Sequence, residues 1–180
     1  MASYSLTEIE KLPPGSVALV FSEPETMPEL TADVVRTLTA QADVIYFSIT
    51  KTVDHQTDMF RKAGINVDNI RFIDCLSKTT GTETKTVKNA VIVHPSNLIG
   101  MARTLTGLLS KTKGKKVVFF DPVTTLLIYN SLPALAKFVT TIVSRIRESG
   151  ASAVFLCLAS EKTEELTQEL EKTADKIIRA

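Results

Sequence analysis

The sequence has no tryptophan, only two cysteines (Cys75 and Cys157) and only two histidines (His55 and His94). The cysteines provide neither a disulfide framework nor the ligand spacing of a zinc site. Each lies inside or at the end of an apolar run, so we expect small buried side chains in a reducing compartment. Each histidine is isolated, with no second ligand at helical spacing, so no metal site and no cofactor is expected.

Long apolar runs and an excess of one charge are also missing. No apolar stretch is long enough to span a bilayer, and the first residues show no basic segment followed by an apolar one. We therefore expect a cytoplasmic protein that does not contact membranes. Lys plus Arg is 21 and Asp plus Glu is 20, so no overall field attracts nucleic acid.

Seven short apolar runs predict β-strands. Most of them are continuous rather than alternating, which is typical of parallel strands covered on both faces. The predicted strands are Val17–Phe21, Val44–Ser48, Ile70–Ile73, Ala90–Val93, Val117–Phe120, Ala153–Leu158 and Lys176–Arg179.

Apolar residues at helical spacing separate these runs, so strands and helices alternate along the chain. This alternation predicts an α/β protein with a mainly parallel sheet, formed by one domain over residues 1–180. Ser96, Ser131 and Ser160 are predicted to cap three of the helices. The threonine-rich segment 77–89 lacks helical periodicity and is predicted to be a mobile surface loop.

The loop after the first predicted strand has the setting of a phosphate-binding P-loop without its chemistry. A P-loop needs glycines, a Lys that reaches the outer phosphates and a Ser or Thr that holds magnesium. Here Pro28 and Glu29 stand at the last two positions, and Thr26 with Glu29 forms a predicted capping box. The segment reads Ser22, Glu23, Pro24, Glu25, Thr26, Met27, Pro28 and Glu29.

The order of these elements resembles the RecA-like ATPase core of the KaiC/RadA group. The likeness is found in residues 12–20, 44–48, 60–67, 117–121, 138–150, 153–158 and 174–178, and taken in this order it covers nearly the whole chain. It implies a three-layer RecA-like fold, in which a mainly parallel central sheet is flanked by helices.

The departures from that family concern its catalytic positions. Ser22, Glu25 and Met27 replace glycines of the family's loop, and no carboxylate follows the second strand to position an attacking water. Only Asp121, the Walker-B-like residue, remains, and Pro122 follows it. The resemblance therefore implies a RecA-like domain with a degenerate Walker A motif. We expect it to have no nucleotide, no cofactor and no catalytic residue.

For a RecA-like domain that does not bind or hydrolyse a nucleotide, we expect a regulatory or assembly role through protein contacts. The predicted partner is a second copy of the chain, in a homo-oligomer, or a RecA-like paralogue. An exposed apolar patch would mark the contact. The candidate interface is Val123, Leu126, Leu127, Ile128 and Tyr129.

Two other functions remain open from the sequence. The first is nucleic-acid binding without ATP hydrolysis, through Lys78, Lys85, Lys88, Lys111, Lys113, Lys115 and Lys116. The second is an ATPase or other enzyme with an atypical site at the carboxyl edge of the sheet, where ligands of open α/β sheets bind. Its candidate residues are Glu23, Glu25, Thr50, Lys51, Asp74, Asp121 and Ser160.

Overall fold

The computed structural model describes residues 6–81 and 89–180. Within these ranges, seven parallel strands form one sheet in the order β4-β3-β2-β5-β6-β1-β7. The strands are β1 (Val17–Ser22), β2 (Asp43–Ser48), β3 (Ile70–Asp74), β4 (Ala90–Ile92), β5 (Lys116–Asp121), β6 (Ser152–Leu158) and β7 (Lys176–Arg179). The α-helices are α1 (Leu6–Glu10), α2 (Met27–Thr39), α3 (Val53–Lys62), α4 (Ser77–Thr80), α5 (Leu98–Lys111), α6 (Leu132–Glu148) and α7 (Glu164–Glu171). Two 3₁₀ helices span Val123–Ile128 and Glu161–Thr163.

The predicted fold class is confirmed: helices cover both faces of a central parallel sheet, in three layers of the RecA-like type. Each predicted strand is present, with ends that agree to within one residue. Continuous apolar runs identified them because β1 and β6 are buried on both faces.

Two hydrophobic cores lie on opposite faces of the sheet. One core joins the sheet to α1, α2 and α3, and the other joins it to α5, α6 and α7. The two cores are separate because of the strand order. From β1 the chain runs towards the edge strand β4, with α2 and α3 on one face of the sheet. It then runs back towards β6, with α5 and α6 on the other face.

The structure corrects two of the predicted helix caps. Asn97, not Ser96, caps α5, and its Oδ1 accepts from the Gly100 N–H at 2.9 Å. Ser96 instead pairs its hydroxyl with Nδ1 of His94 at 2.8 Å. Ser131 occupies the N-cap position of α6 but makes no side-chain capping bond.

The start of α7 also differs from the prediction. The 3₁₀ helix precedes it, so Thr163 rather than Ser160 is the residue before the first α-helical turn. The Ser160 hydroxyl lies 3.1 Å from the Thr163 hydroxyl.

The predicted mobile loop over 77–89 is only partly within the described residues. Ser77–Thr80 form the short helix α4, which ends at Gly81 with a left-handed backbone, φ 65°. Residues 82–88 lie outside the described part of the chain. In the part that is described, no helix is long and apolar enough to cross a membrane.

Aromatic rings stack across the middle of the sheet. Phe47, Phe120 and Phe155 are register partners on β2, β5 and β6, and the neighbouring ring centroids lie 4.0 and 4.7 Å apart. On the opposite face, Tyr46 contacts both Phe72 and Phe119 on the flanking strands. Aromatic pairs contribute beyond the area that they bury, so these rows fix the register at the centre of the fold.

We expect Phe120→Ala to lower the free energy of unfolding by about 3–5 kcal/mol, because it empties the middle of the stack and leaves a cavity. Phe120→Leu retains most of the side-chain volume and should cost clearly less. Urea denaturation of both variants measures the difference. Equal losses for the two variants would contradict this prediction, because the cost would then not follow the side-chain volume that is removed.

Candidate site at the carboxyl edge of the sheet

All the strands are parallel, so their carboxyl ends meet at one edge. Ser48, at the end of β2, is the register partner of both Asp74 on β3 and Asp121 on β5. The helix that follows β2 lies on one face of the sheet and the helix that follows β5 lies on the other. Such a division is where open α/β sheets form a ligand crevice.

The loop in the P-loop position closes on itself. The carbonyl oxygen of Glu23 accepts the N–H of Thr26 at 3.3 Å and the N–H of Met27 at 3.1 Å. A phosphate-binding loop keeps such N–H groups directed at the ligand. Here a tight turn satisfies two of them, and Pro28 has no N–H to offer.

The loop's side chains complete this closure in a way that differs from the predicted capping box. Thr26 precedes α2 but makes no side-chain capping bond. Its hydroxyl instead lies 3.0 Å from the Ser22 hydroxyl and 3.3 Å from the Glu23 carbonyl oxygen. Glu23, Glu25 and Glu29 are exposed, so carboxylates surround the place where a triphosphate would lie.

The Asp121 carboxylate is not available to bind a metal ion beside this loop. It is 3% exposed, and its carboxylate accepts hydrogen bonds from the Tyr46 hydroxyl and, at 3.4 Å, from the Thr31 hydroxyl. The three residues belong to β5, β2 and α2, so a buried polar cluster ties two strands to the helix that follows the loop. We call Tyr46, Asp121 and Thr31 the buried triad.

Burial governs the ionisation of the triad. Loss of water raises the pKa of Asp121 above its usual range, while the Tyr46 donor, the Lys51 charge and the Thr31 donor oppose that rise. Burial and the neighbouring carboxylate both raise the pKa of Tyr46. The Tyr46 hydroxyl therefore stays protonated and donates a hydrogen bond to Asp121. The carboxylate is thereby occupied by protein groups.

Asp74 has a structural role at the same edge. Its carboxylate accepts the backbone N–H groups of Val53, Leu76 and Ser77 at 2.8–3.0 Å and the Ser77 hydroxyl at 2.6 Å. It thus holds the first residues of α3 and α4 against β3. Such a carboxylate has its acceptor sites filled by protein donors.

Of the remaining edge residues proposed for an atypical enzyme, only Lys51 lies close enough to Asp121 to affect the pKa of that carboxyl group. Thr50 and Ser160 are exposed, Lys51 is half-buried, and the Ser48 hydroxyl donates to the Lys51 carbonyl oxygen at 2.7 Å. Among the described residues, no cluster of three or more His, Cys, Asp or Glu side chains forms a metal-binding group.

The five lysines considered for nucleic-acid binding that fall within the described ranges lie at opposite edges of the sheet. Lys111, Lys113, Lys115 and Lys116 lie around the connection from α5 to β5, at the amino edge of the sheet. Lys78 lies on α4, which follows the carboxyl end of β3. Lys85 and Lys88 fall in the undescribed segment.

The candidate interface after Asp121 is largely interior. Val123 and Leu126 are buried in the core against α6, and Leu127 and Tyr129 are half-buried. Only Ile128 is well exposed, at 76%. Burial therefore removes Val123 and Leu126 from any surface contact, because the 3₁₀ helix turns them inward.

Sequence reasoning missed a surface groove between α5 and α6. It has a volume of about 540 Å³ and lies between Leu98, Ile99 and Arg103 on α5 and Lys137 and Phe138 on α6. The small residues Ala102 and Ala134 line it, but the groove depends on the spacing of the two helices, which the sequence of neither helix shows.

We expect Asp121→Asn to remove a pH dependence of stability. Because the pKa of Asp121 is raised in the folded state, the folded protein binds more protons than the unfolded chain between the two pKa values. The wild-type free energy of unfolding should therefore rise, relative to Asp121→Asn, as pH falls from neutral towards about 4. Urea denaturation of both proteins across this range tests it, and a constant difference between them would contradict it.

Asp175→Asn is the matched control with the opposite sign. The Val17 N–H and Arg147 hold the pKa of Asp175 below its usual range. Its stabilisation is therefore present above the unfolded pKa and is lost as pH falls through the folded pKa. The difference between the wild type and this variant should stay constant near neutral pH and shrink only in acid.

The comparisons with known proteins place the chain in a family without assigning it an activity. Among solved structures, it is similar to an uncharacterized protein, PH0321 from Pyrococcus horikoshii, in complex with an unknown peptide. The TM-score is 0.73 and the identity 14%, over 96% of this chain and 80% of that chain, which shows a shared fold. No curated protein sequence matches. The family model described as "Family of unknown function (DUF7504)" matches residues 15–180, and the chain belongs to this family.

Proposed function

We propose that this protein is a catalytically inactive RecA-like domain of the KaiC/RadA type that acts by binding other proteins. The observation that carries the proposal is the state of the former nucleotide site. Its loop satisfies its own N–H groups through the Glu23 carbonyl oxygen, and Tyr46 and Thr31 occupy the one retained acidic residue, Asp121.

Electrostatics support the loss of nucleotide binding. Glu25 and Glu29 stand at a glycine and a hydroxyl position of a phosphate loop, and Glu23 adds a third carboxylate beside them. One pair of like charges at about 4 Å costs roughly 4 kcal/mol at an effective dielectric near 20. A triphosphate at this loop meets several such carboxylates and has no Lys to offset them.

Surface composition supports a role in protein contacts. Ile99 and Ile128 are 70% and 76% exposed, and both lie near the carboxyl edge, on the segments that follow β4 and β5. The Pyrococcus horikoshii protein of the same fold was found with an unknown peptide, and a polypeptide ligand fits the binding role that we propose. The partner is a further copy of the chain or a RecA-like paralogue.

Isothermal titration with Mg-ATP tests the loss of nucleotide binding. We expect no low-micromolar binding, because neither the loop donors nor the carboxylate are free. The variant Asp121→Asn should give the same flat titration, since Asp121 holds no magnesium. A clear low-micromolar isotherm that Asp121→Asn weakens would overturn the proposal.

The binding role has its own measurement. Light scattering over a range of concentrations, with the protein alone and with its native RecA-like paralogue, should show a mass above that of the monomer. A stable contact is expected to bury at least about 1,000 Å² in total. A strictly monomeric mass in both samples would contradict the role in assembly.

A further inference from the structure

We infer that the groove between α5 and α6 is a docking site for an acidic amphipathic helix of a partner protein, an inference that rests on the proposed binding function. The groove is a long depression on the outer surface of the helical layer, away from the former nucleotide loop. Its apolar residues, its charges and its length each restrict the occupant.

The apolar part of the groove lies at its α5 side. Ile99 is 70% exposed, and Leu98 beside it is half-buried. Phe138, on α6, closes the floor with most of its ring in the core. Apolar side chains of an occupant would remove this surface from water, which contributes roughly 25 cal/mol for each Å² buried.

The charged part of the groove is basic. Arg103 and Lys137 are exposed on opposite walls, and neither forms a salt bridge with an acidic group among the described residues. Arg145 supplies a third cation, held in place by the Thr106 hydroxyl at 2.7 Å and the Ala102 carbonyl oxygen at 3.4 Å. Carboxylates on the occupant would complement all three.

The groove continues along α6 beyond Lys137. An adjoining depression of about 590 Å³ runs past Thr141 and Ser144 to Glu148. Lys137 and Arg145 line both depressions, and the one acidic residue of the lining, Glu148, lies at the end of α6. This polarity favours one orientation of an acidic helix over its reverse.

The dimensions fit a helix of moderate length. The lining of the groove and of the adjoining depression runs along α6 from Ala134 to Glu148, which at 1.5 Å per residue gives about 21 Å. An occupant helix of about 14 residues matches that length. Helices that lie in such grooves present apolar anchors at spacings of three and four residues, with acidic residues at the flanks here.

A second copy of this chain fits the groove less well. The most acidic helix of the described chain is α7, where Glu164, Glu165 and Glu169 are exposed. Its apolar residues Leu166 and Leu170 are buried in its own core. α7 could therefore supply carboxylates to the groove, but it has no exposed apolar side chains to pack on Ile99 and Leu98.

The test uses a fluorescein-labelled 14-residue peptide with leucines at helical spacing and glutamates between them. Two control ligands are the same peptide with lysines in place of the glutamates, and a labelled single-stranded oligonucleotide. Fluorescence anisotropy with the full chain should show saturable binding of the acidic peptide only. Tighter binding of the lysine peptide or of the oligonucleotide would overturn the inference.

A matched pair of variants localises the contact. Arg103→Glu with Lys137→Glu reverses two charges in the groove and should weaken peptide binding at least tenfold. Lys111→Glu with Lys113→Glu makes the same charge change at the amino edge of the sheet and should leave affinity unchanged. All four side chains are exposed, and urea midpoints check that both variants fold. Equal weakening by the two pairs would overturn the groove as the binding site.

The Mg-ATP titration on the same proteins separates this inference from the proposed function. Absence of both ATP and peptide binding would overturn the groove inference and leave the loss of nucleotide binding intact. ATP binding would instead overturn the proposed function itself. A concentration-dependent dimer that the groove variants abolish would also overturn the inference, because a second copy would then be the occupant.

Discussion

The hydrogen bond from the Tyr46 hydroxyl to the Asp121 carboxylate is the contact on which the arrangement of the sheet's carboxyl edge depends. It joins neighbouring strands at the centre of the sheet, and Thr31 extends it to the helix after the loop. A buried carboxylate is costly unless donors satisfy it. Here the donors come from the protein itself, so the fold needs no ion at that position.

The same contact explains why the loop above it differs from a phosphate loop. A magnesium-binding carboxylate must remain open to the ion, and the loop must keep its N–H groups free. In this chain the carboxylate is covered and the turn after β1 satisfies its own donors through the Glu23 carbonyl oxygen. The two features agree, because together they leave this edge without the open carboxylate and the free N–H groups that a magnesium and phosphate site needs.

The sequence predicted the strands well and the side-chain contacts poorly, for physical reasons. Continuous apolar runs such as 17–21 reflect burial on both faces, which the backbone pattern alone reveals. The partners of Asp121 lie 75 and 90 positions away, and no local pattern pairs them. The predicted Thr26 cap was wrong because its hydroxyl lies against the Ser22 hydroxyl and the Glu23 carbonyl oxygen and does not accept from the first turn of α2. The α5–α6 groove depends on the spacing of two helices, which neither helix shows by itself.

The position of β1 has a consequence for how the chain reaches its folded state. β1 is the first strand in sequence, yet it lies between β6 and β7, which are among the last elements. Its first N–H, that of Val17, also bonds Asp175, 158 positions later. During synthesis this apolar strand emerges long before either neighbour exists, and non-local pairing of this kind is slow and prone to aggregation. β1 therefore cannot complete its pairing until β7 has been made, and until then its edges lack the strands that cover them.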